Sequence, residues 1–525
     1  GSSNSSLSGY QENYEKVRLA KSWIPAFEEI VQEEEKEFDD LWNGRNPFVE
    51  IHDYTKAAQK DILHEIEERE NRKNEDEPIK LRDYQNDAIE AWKQNNYRGF
   101  YVMATGTGKT WTAIFSAKEL VKNHPAMIVI CAPYKHLIKQ WAEDVEKCFG
   151  ESNIILVSSE NPSWPSEITN EITKSKFKNN QVIVISTIVS FNSPRFTEIV
   201  NKFDGEKLLI VDEAHRFTNR TEEIQNQYKY MLGLSATPFS GTSAARGREL
   251  MNFFGGQVFN LPIEDALGKY LVNYYYHPIY VYASAYEEEK FNNMTRTILG
   301  CFKNGVCIDK DKLVKTLRNR LRVISMAEDK QTNLNAILKN VKEKDHIVVY
   351  CGDGKLFDAS SGEELRHIST VKRELDKLGY KPSQFTASEN MKERMSLVNS
   401  FNKGTITALA AIRCLDEGIN IPSIKSALIL SSNDDYREFV QRRGRILRKY
   451  PGKEFADIYD VIVLPSSNCT SWAQIELRRF REYSKLALNN NELENELIDK
   501  LAGYGLSLED VDVYDYEDME DVEDE

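Results

Sequence analysis

Twice along this chain, short apolar runs alternate with amphipathic stretches, and that rhythm constrains the fold more than any other feature. Between residues 79 and 272 the runs are "GFYVM", "AMIVICAP", "QVIVIST", "KLLIVDEAH" and "YMLGLSATP". Between 331 and 465 they are "HIVVYCGD", "PSQFTA", "ITALAAIRC", "SALILSS" and "FADIYDVIVLP". Strands that alternate with helices in sequence pair in parallel, because each crossover helix returns the chain over a sheet face. The expectation is an α/β protein of two tandem lobes, each with a parallel sheet. Residues 1–78 read as a helical extension that ends in a charged linker, and 273–330 as a partly helical connector, rich in tyrosine and then basic ("TLRNRLRV"). Residues 466–525 read as a helix, "SWAQIELRRFREYSKLAL", a further short helical stretch and an acidic tail with too little apolar content to fold by itself, expected to be solvated or a partner contact.

Composition excludes several classes. At 41% hydrophobic and 29% charged, the 525 residues are those of an ordinary globular protein. There is no apolar run of membrane-spanning length and no basic-then-apolar start, so neither a membrane span nor secretion is expected. Seven scattered cysteines with no C-x-x-C pair suit reduced thiols in the cytoplasm better than disulfides or zinc. Much of the net charge of −15 is local: Glu509 to Glu525 holds 11 acidic residues and no basic one. A basic groove is compatible with the remainder, and the tail or the N-terminal helices are places for a protein partner.

"ATGTGKT" (104–110) follows an apolar run and opens a helical pattern, fitting G-x-x-x-x-G-K-[ST] except at its first glycine. Gly106 and Gly108, with Thr105 and Thr107, let backbone N–H groups curl around phosphate oxygens. Lys109 supplies charge for the β- and γ-phosphates, Thr110 a hydroxyl for Mg²⁺, and the helix N-terminus favours the anion further. About a hundred residues later "LLIVDEAH" ends a strand with Asp212 and Glu213, in the crevice where α/β sheets bind ligands. Asp212 suits the same Mg²⁺, and Glu213 suits the orientation or deprotonation of water. ATP and Mg²⁺ are the expected ligands.

Taken in order, these segments resemble the superfamily-two helicases, of the DEAH-box kind found in DNA repair, remodelling and restriction. The resemblance spans roughly 79–465 and implies RecA-like lobes with an ATPase of nucleic-acid-stimulated type. It implies that "LRDYQNDAI" reads adenine through Gln85, with Arg82 beside it. "APYKHLIKQW" and "ISTIVSF" look like strand-contacting motifs, with Lys135, Gln140, Trp141 and Thr187 as candidates. "SAT" looks like the element that couples hydrolysis to movement, with Ser235, Thr237 and His215 in one network, and Glu417 of the second lobe is assigned to the same coupling. "LDEGINIP" looks like the motif that touches both ATP and the nucleic-acid backbone through Gly418, with Asn420 where the family often has aspartate. "QRRGRILR" looks like the arginine-finger motif: Gln441, Arg445 and Arg448 are the catalytic candidates, the two arginines three apart and so on one helical face.

The expected activity is an ATP-driven DNA helicase or translocase on duplex or single-stranded DNA, with a role in restriction, repair or phage defence. RNA is the less favoured polymer. A regulatory nucleotide switch is the reading from a different class, and a metal-dependent nuclease has no clustered acidic motif outside the ATP site to support it. The opening "GSSNSSLSGYQENYE" reads either as an expression scar or as the tail of a phospholipase-D-type nuclease, which some bacterial defence proteins carry ahead of such a motor.

Overall fold

The computed structural model describes residues 31–32, 35–36, 80–150, 153–177, 181–239, 244–303, 306–352, 354–358, 363–386, 389, 391–412, 421–431 and 436–512. The reading of residues 1–15, and nearly all of the 1–78 extension, lie outside these. Two parallel sheets organise the unit Leu81–Glu525.

The first sheet uses β1 (Arg98–Met103), β2 (Ala126–Ala132), β3 (Ile154–Val157), β4 (Ile183–Thr187), β5 (Glu206–Val211), β6 (Tyr230–Ser235) and β7 (Gln257–Leu261). Their order is β3-β4-β2-β5-β6-β1-β7. Every pair is parallel, so helices cover both faces, and this is why the central strands read as unbroken apolar runs rather than alternating ones. All seven residues of β2 are buried. Sequence patterning passed over β3 and β7. The first is a short apolar run at one edge of the sheet, and the second is a half-exposed edge whose polar Gln257 and Asn260 break the run. Parallel strands bring all their carboxyl ends to one rim, where the segments after β1, β5 and β6 meet.

The second sheet follows in chain order: β8 (Asn273–Tyr282), a short hairpin of β9 (Phe302–Lys303) and β10 (Val306–Cys307), then β11 (Ile347–Tyr350). A second hairpin, β12 (Lys355–Asp358) and β13 (Glu363–Arg366), precedes β14 (Pro382–Phe385), β15 (Ala408–Ala411), β16 (Ser426–Ile429) and β17 (Phe455–Leu464). The six-stranded order is β14-β15-β11-β16-β17-β8, again all parallel. β8 is a finding against expectation, since it lies in the stretch read as a connector. Pro278 and the run of tyrosines hide it in sequence. An edge strand tolerates proline, whose missing N–H faces no partner, and Tyr274 and Tyr276 point into the core. The rest of that stretch is a helical hairpin, Ala285–Leu299 and Lys310–Ser325, packed through Phe291, Val314, Val323 and Ile324.

The helix Thr470–Ser484 locks this edge through a buried ionic network. Arg479 reaches Asp460 of β17 at 2.9 Å and Glu476 at 2.6 Å, Glu476 accepts from the Val463 amide at 2.7 Å, and Tyr276 of β8 donates to Asp460 at 3.0 Å. Such a network holds register because every member has its partners. The start of the acidic tail also departs from expectation: Leu508–Asp512 is helical, with Val511 buried and Asp512 paired to Arg481 at 2.9 Å. Residues 513–525 lie outside the description.

Replacing Arg479 by alanine leaves two buried carboxylates without their cation. The expected loss is about 3–5 kcal/mol of unfolding free energy, read by chemical denaturation, and a loss below about 1 kcal/mol would show that the network contributes little.

Candidate nucleotide site between the lobes

Met103 ends β1, and the chain then makes two left-handed steps, Gly106 at φ 87° and Gly108 at φ 90°, before the helix Lys109–Asn123 begins. Side chains with a Cβ rarely adopt these angles, which accounts for both glycines. Thr107 closes the turn by donating from Oγ1 to the Ala104 carbonyl at 2.7 Å. Among the described residues Thr105 Oγ1 is buried with no hydrogen-bond partner, an unusual state for a hydroxyl and one that an anion would relieve. Lys109 is buried, its ammonium donating to the Met103 carbonyl at 3.1 Å, and Thr110 follows it on the first helical turn.

The helix Asp83–Gln94 flanks this loop. Gln85 is buried; its amide nitrogen donates to Thr112 Oγ1 at 3.0 Å and to the Gly108 carbonyl at 3.3 Å, and its oxygen accepts the Arg82 amide at 2.9 Å. Gln85 is therefore tied to the glycine loop itself. The Tyr84 hydroxyl donates to the Thr107 carbonyl. Exposed Arg82 lies over the ring of Tyr270, which also meets Tyr84 at 4.2 Å between centroids.

At the end of β5, Asp212 is buried and held from two sides. Trp141 Nε1 donates to Oδ2 at 2.9 Å, and the Glu213 amide donates to Oδ1 at 3.0 Å. Burial, then the negative charge of Glu213, raises the Asp212 carboxyl to about 6. Glu213 itself sits in the left-handed region at φ 44°, a strained position for a residue with a side chain. His215 Nδ1 lies 3.5 Å from Glu213 Oε2 and 3.1 Å from Ser235 Oγ, which also accepts the Thr237 amide at 3.1 Å. One chain of contacts thus runs from the carboxylate loop to the end of β6.

The second lobe closes the cleft with the helix Tyr436–Ile446. Arg442 and Arg443 hold this helix in its own lobe: Arg442 pairs with Glu438 at 2.7 Å and lies over the Tyr350 ring, and Arg443 pairs with buried Glu482 at 2.7 Å. Gln441 is partly exposed on the same helix. Arg445 and Arg448 do not share a helical face as expected. The helix ends at Ile446, and Arg448 lies beyond it in a β-bridge with Leu271, where the crossing segment pairs with it and Val272 donates to the Leu447 carbonyl at 2.8 Å. Lys453, unnoticed in sequence because it stands outside any motif, donates to the Ile446 carbonyl and to the Arg448 carbonyl at 3.0 Å.

The lobes touch backbone to backbone. A Cβ at Gly444 would fall 2.4 Å from Thr105 Cβ, and one at Gly106 would fall 2.5 Å from the Gly444 carbonyl oxygen. This approach concentrates charge. Burial lowers the Lys109 ammonium, Glu213 and Asp212 raise it, and Arg448 and Arg445 of the other lobe lower it again. Burial and the like charge of Arg445 bring Arg448 down to about 9, and burial with Arg448 brings Lys453 down to about 7. Three cations, Lys109, Arg445 and Arg448, with two carboxylates leave local positive charge that a polyanion would neutralise.

The remaining candidates scatter. Lys135 and Lys139 flank Glu160 at 3.8 and 2.8 Å, and Gln140 is partly exposed beside them on the helix Lys135–Phe149. Thr187 is buried and caps the helix Ile188–Phe191 by accepting the Ser190 amide at 3.2 Å. Trp141 is a correction: about 2% exposed and bonded to Asp212, it has no surface for a strand. Glu417, Gly418 and Asn420 lie outside the described residues. Among the described residues no three His, Cys, Asp or Glu side chains converge as metal ligands, and no helix is long and apolar enough to cross a membrane.

Two parallel-sheet lobes meeting at a glycine loop define a tandem RecA-like protein. Residues 78–240 match the family "Type III restriction enzyme, res subunit" and residues 329–450 match "Helicase conserved C-terminal domain". The chain belongs to the superfamily-two helicases and translocases. It is 26% identical over 395 residues to the DNA 3'-5' translocase XPB2 of Sulfurisphaera tokodaii, covering 71% of this chain and 79% of that one. It is 24% identical over 357 residues to a transcript termination protein of monkeypox virus, 66% of this chain and 62% of that one. In fold it is similar to the DNA-bound ATP-dependent Type ISP restriction-modification enzyme LlaBIII, with TM-score 0.51, 20% identity, and 82% of this chain aligned to 30% of the larger one.

Gly444→Ala is expected to part the lobes while each keeps its own core, raising the radius of gyration in solution X-ray scattering. An unchanged scattering profile would show that the backbone contact does not hold the cleft closed.

Proposed function

We propose that this protein is an ATP-dependent DNA translocase or helicase whose active site is completed only when the lobes close. The observation that carries this reading is the convergence on buried Lys109 of Asp212 and Glu213 from its own lobe and of Arg445 and Arg448 from the opposite one. In this reading the glycine loop and Lys109 bind the triphosphate, and Gln85 and Arg82 bind the base. Glu213 orients the attacking water, and Gln441 lies at the reacting end with the arginines. Thr110 and Asp212 suit magnesium, which takes one or two protein oxygens beside substrate phosphates and supplies neutralising charge there. Arginine forks match phosphate oxygens, and a finger supplied across a cleft is worth about 10³–10⁵ in rate, so turnover depends on closure. Ser235, Thr237 and His215, with Glu417 and Gly418, would relay closure to the strand-gripping surface.

Lys135 and Gln140 support a strand contact on the first lobe. On the second, exposed Lys312, Lys315, Arg318 and Arg322 form a stripe on the outer side of the helix Lys310–Ser325, opposite its packed face. The similar Sulfurisphaera tokodaii protein is a DNA translocase and LlaBIII is DNA-bound, which favours DNA over RNA, and a cytoplasmic DEAH-type motor in restriction or phage defence fits the same features. The regulatory-switch reading predicts slow turnover that no polymer changes.

The deciding experiment is ATP turnover with duplex DNA, single-stranded DNA or RNA at one salt concentration; a rate indifferent to all three would overturn the motor. Lys109→Ala is expected to abolish turnover with the fold intact by circular dichroism, and Arg445→Ala to keep nucleotide binding while slowing hydrolysis at least about a hundredfold. Lys315→Glu with Arg322→Glu is expected to weaken DNA binding and to flatten the plot of log affinity against log salt by about 2. An unaltered slope would remove that helix from the interface.

A further inference from the structure

The contact between Trp141 and Asp212 joins the carboxylate loop after β5 to the helix that carries Lys135 and Gln140. Trp141 belongs to the helix Lys135–Phe149, not to the carboxylate loop. Ile138, Trp141 and Val145 are its buried face, while Lys135 and Lys139 stand on the exposed side. Indole nitrogen is a donor only, so this bond has one direction and one purpose: it holds Asp212 Oδ2 at 2.9 Å while the Glu213 amide holds Oδ1. A carboxylate gripped at both oxygens has its plane set by them. One grip is local to the loop; the other moves with the helix.

We propose that Trp141 is a positioning residue that ties the orientation of Asp212 to the placement of the helix Lys135–Phe149, so that a strand engaged on the outer side of that helix adjusts the ion-holding carboxylate. This rests on the reading of Asp212 as the magnesium carboxylate and of the helix as a strand contact. Partners that orient metal ligands from behind are worth about 10–100-fold in metal affinity or activity. Phenylalanine keeps the ring's bulk at position 141 and removes the donor.

The test compares the full chain with Trp141→Phe and with Ile138→Val, which thins the same packed face without touching the bond. Two quantities are read: ADP affinity with and without Mg²⁺ by calorimetry, and the ratio of DNA-stimulated to unstimulated ATP turnover. Trp141→Phe is expected to lose about tenfold of the magnesium-dependent gain in ADP affinity and to lower the stimulation ratio about tenfold, with DNA affinity unchanged. Ile138→Val is expected to keep both while melting at a lower temperature. An unchanged magnesium effect in Trp141→Phe, or equal losses in both variants, overturns the positioning role. A reduced magnesium effect with a normal stimulation ratio overturns the link to the helix. If Asp212→Asn leaves magnesium-dependent ADP binding as in the unaltered chain, the underlying assignment of Asp212 has failed instead.

Discussion

The rest of the site depends on how closely two backbones approach. Thr105 and Gly106 of one lobe lie against Gly444 of the other with no room for a Cβ on either glycine. That contact carries Arg445 and Arg448 within electrostatic reach of Lys109, on which Asp212 and Glu213 act from its own lobe. Burying several cations together is unfavourable unless anions offset them, and the two carboxylates offset only part of the charge. The cleft is therefore poised for a polyanion, and its charge balance depends on lobe separation. A motor needs that property, because ligand binding then does work on the distance between domains.

Each lobe holds its half of the cleft by different means. The first relies on a continuous apolar sheet and on polar ties among Gln85, Tyr84 and the glycine loop. The second fixes its closing helix with buried ion pairs, Arg442 with Glu438 and Arg443 with Glu482, and stiffens its edge with the network of Asp460, Glu476 and Arg479. Four arginines stand in the segment 442–448, and their roles divide by burial partner: two meet carboxylates of their own lobe, and two face the other lobe's glycine loop. The strained backbone of Glu213 and the bond from Trp141 to Asp212 belong to the same logic, since both fix carboxylates that neighbours of like charge would otherwise push apart.

Much of this was readable from the chain alone. Parallel strands buried on both faces leave long apolar runs, so every run singled out in the two blocks became a strand, and the glycine loop carries its own conformational demand in Gly106 and Gly108. Local chemistry of that kind needs no partner from elsewhere. β8 was hidden because an edge strand tolerates proline and tyrosine, whereas β3 is a wholly apolar run at a sheet edge that patterning passed over. The first residues of the acidic tail read as solvated because sequence does not show that Arg481 waits for Asp512.

What the third dimension alone decided is which side chains face one another. Trp141 reads as a surface aromatic next to lysines, yet its helix turns it inward onto a carboxylate 71 positions away. Arg448 reads as one helical turn beyond Arg445, yet the helix stops short and the crossing segment draws it into a bridge with Leu271. Residue order sets period, charge and backbone freedom, because those depend on neighbours along the chain. Orientation across a cleft depends on packing between elements far apart in sequence, and only the folded arrangement determines it.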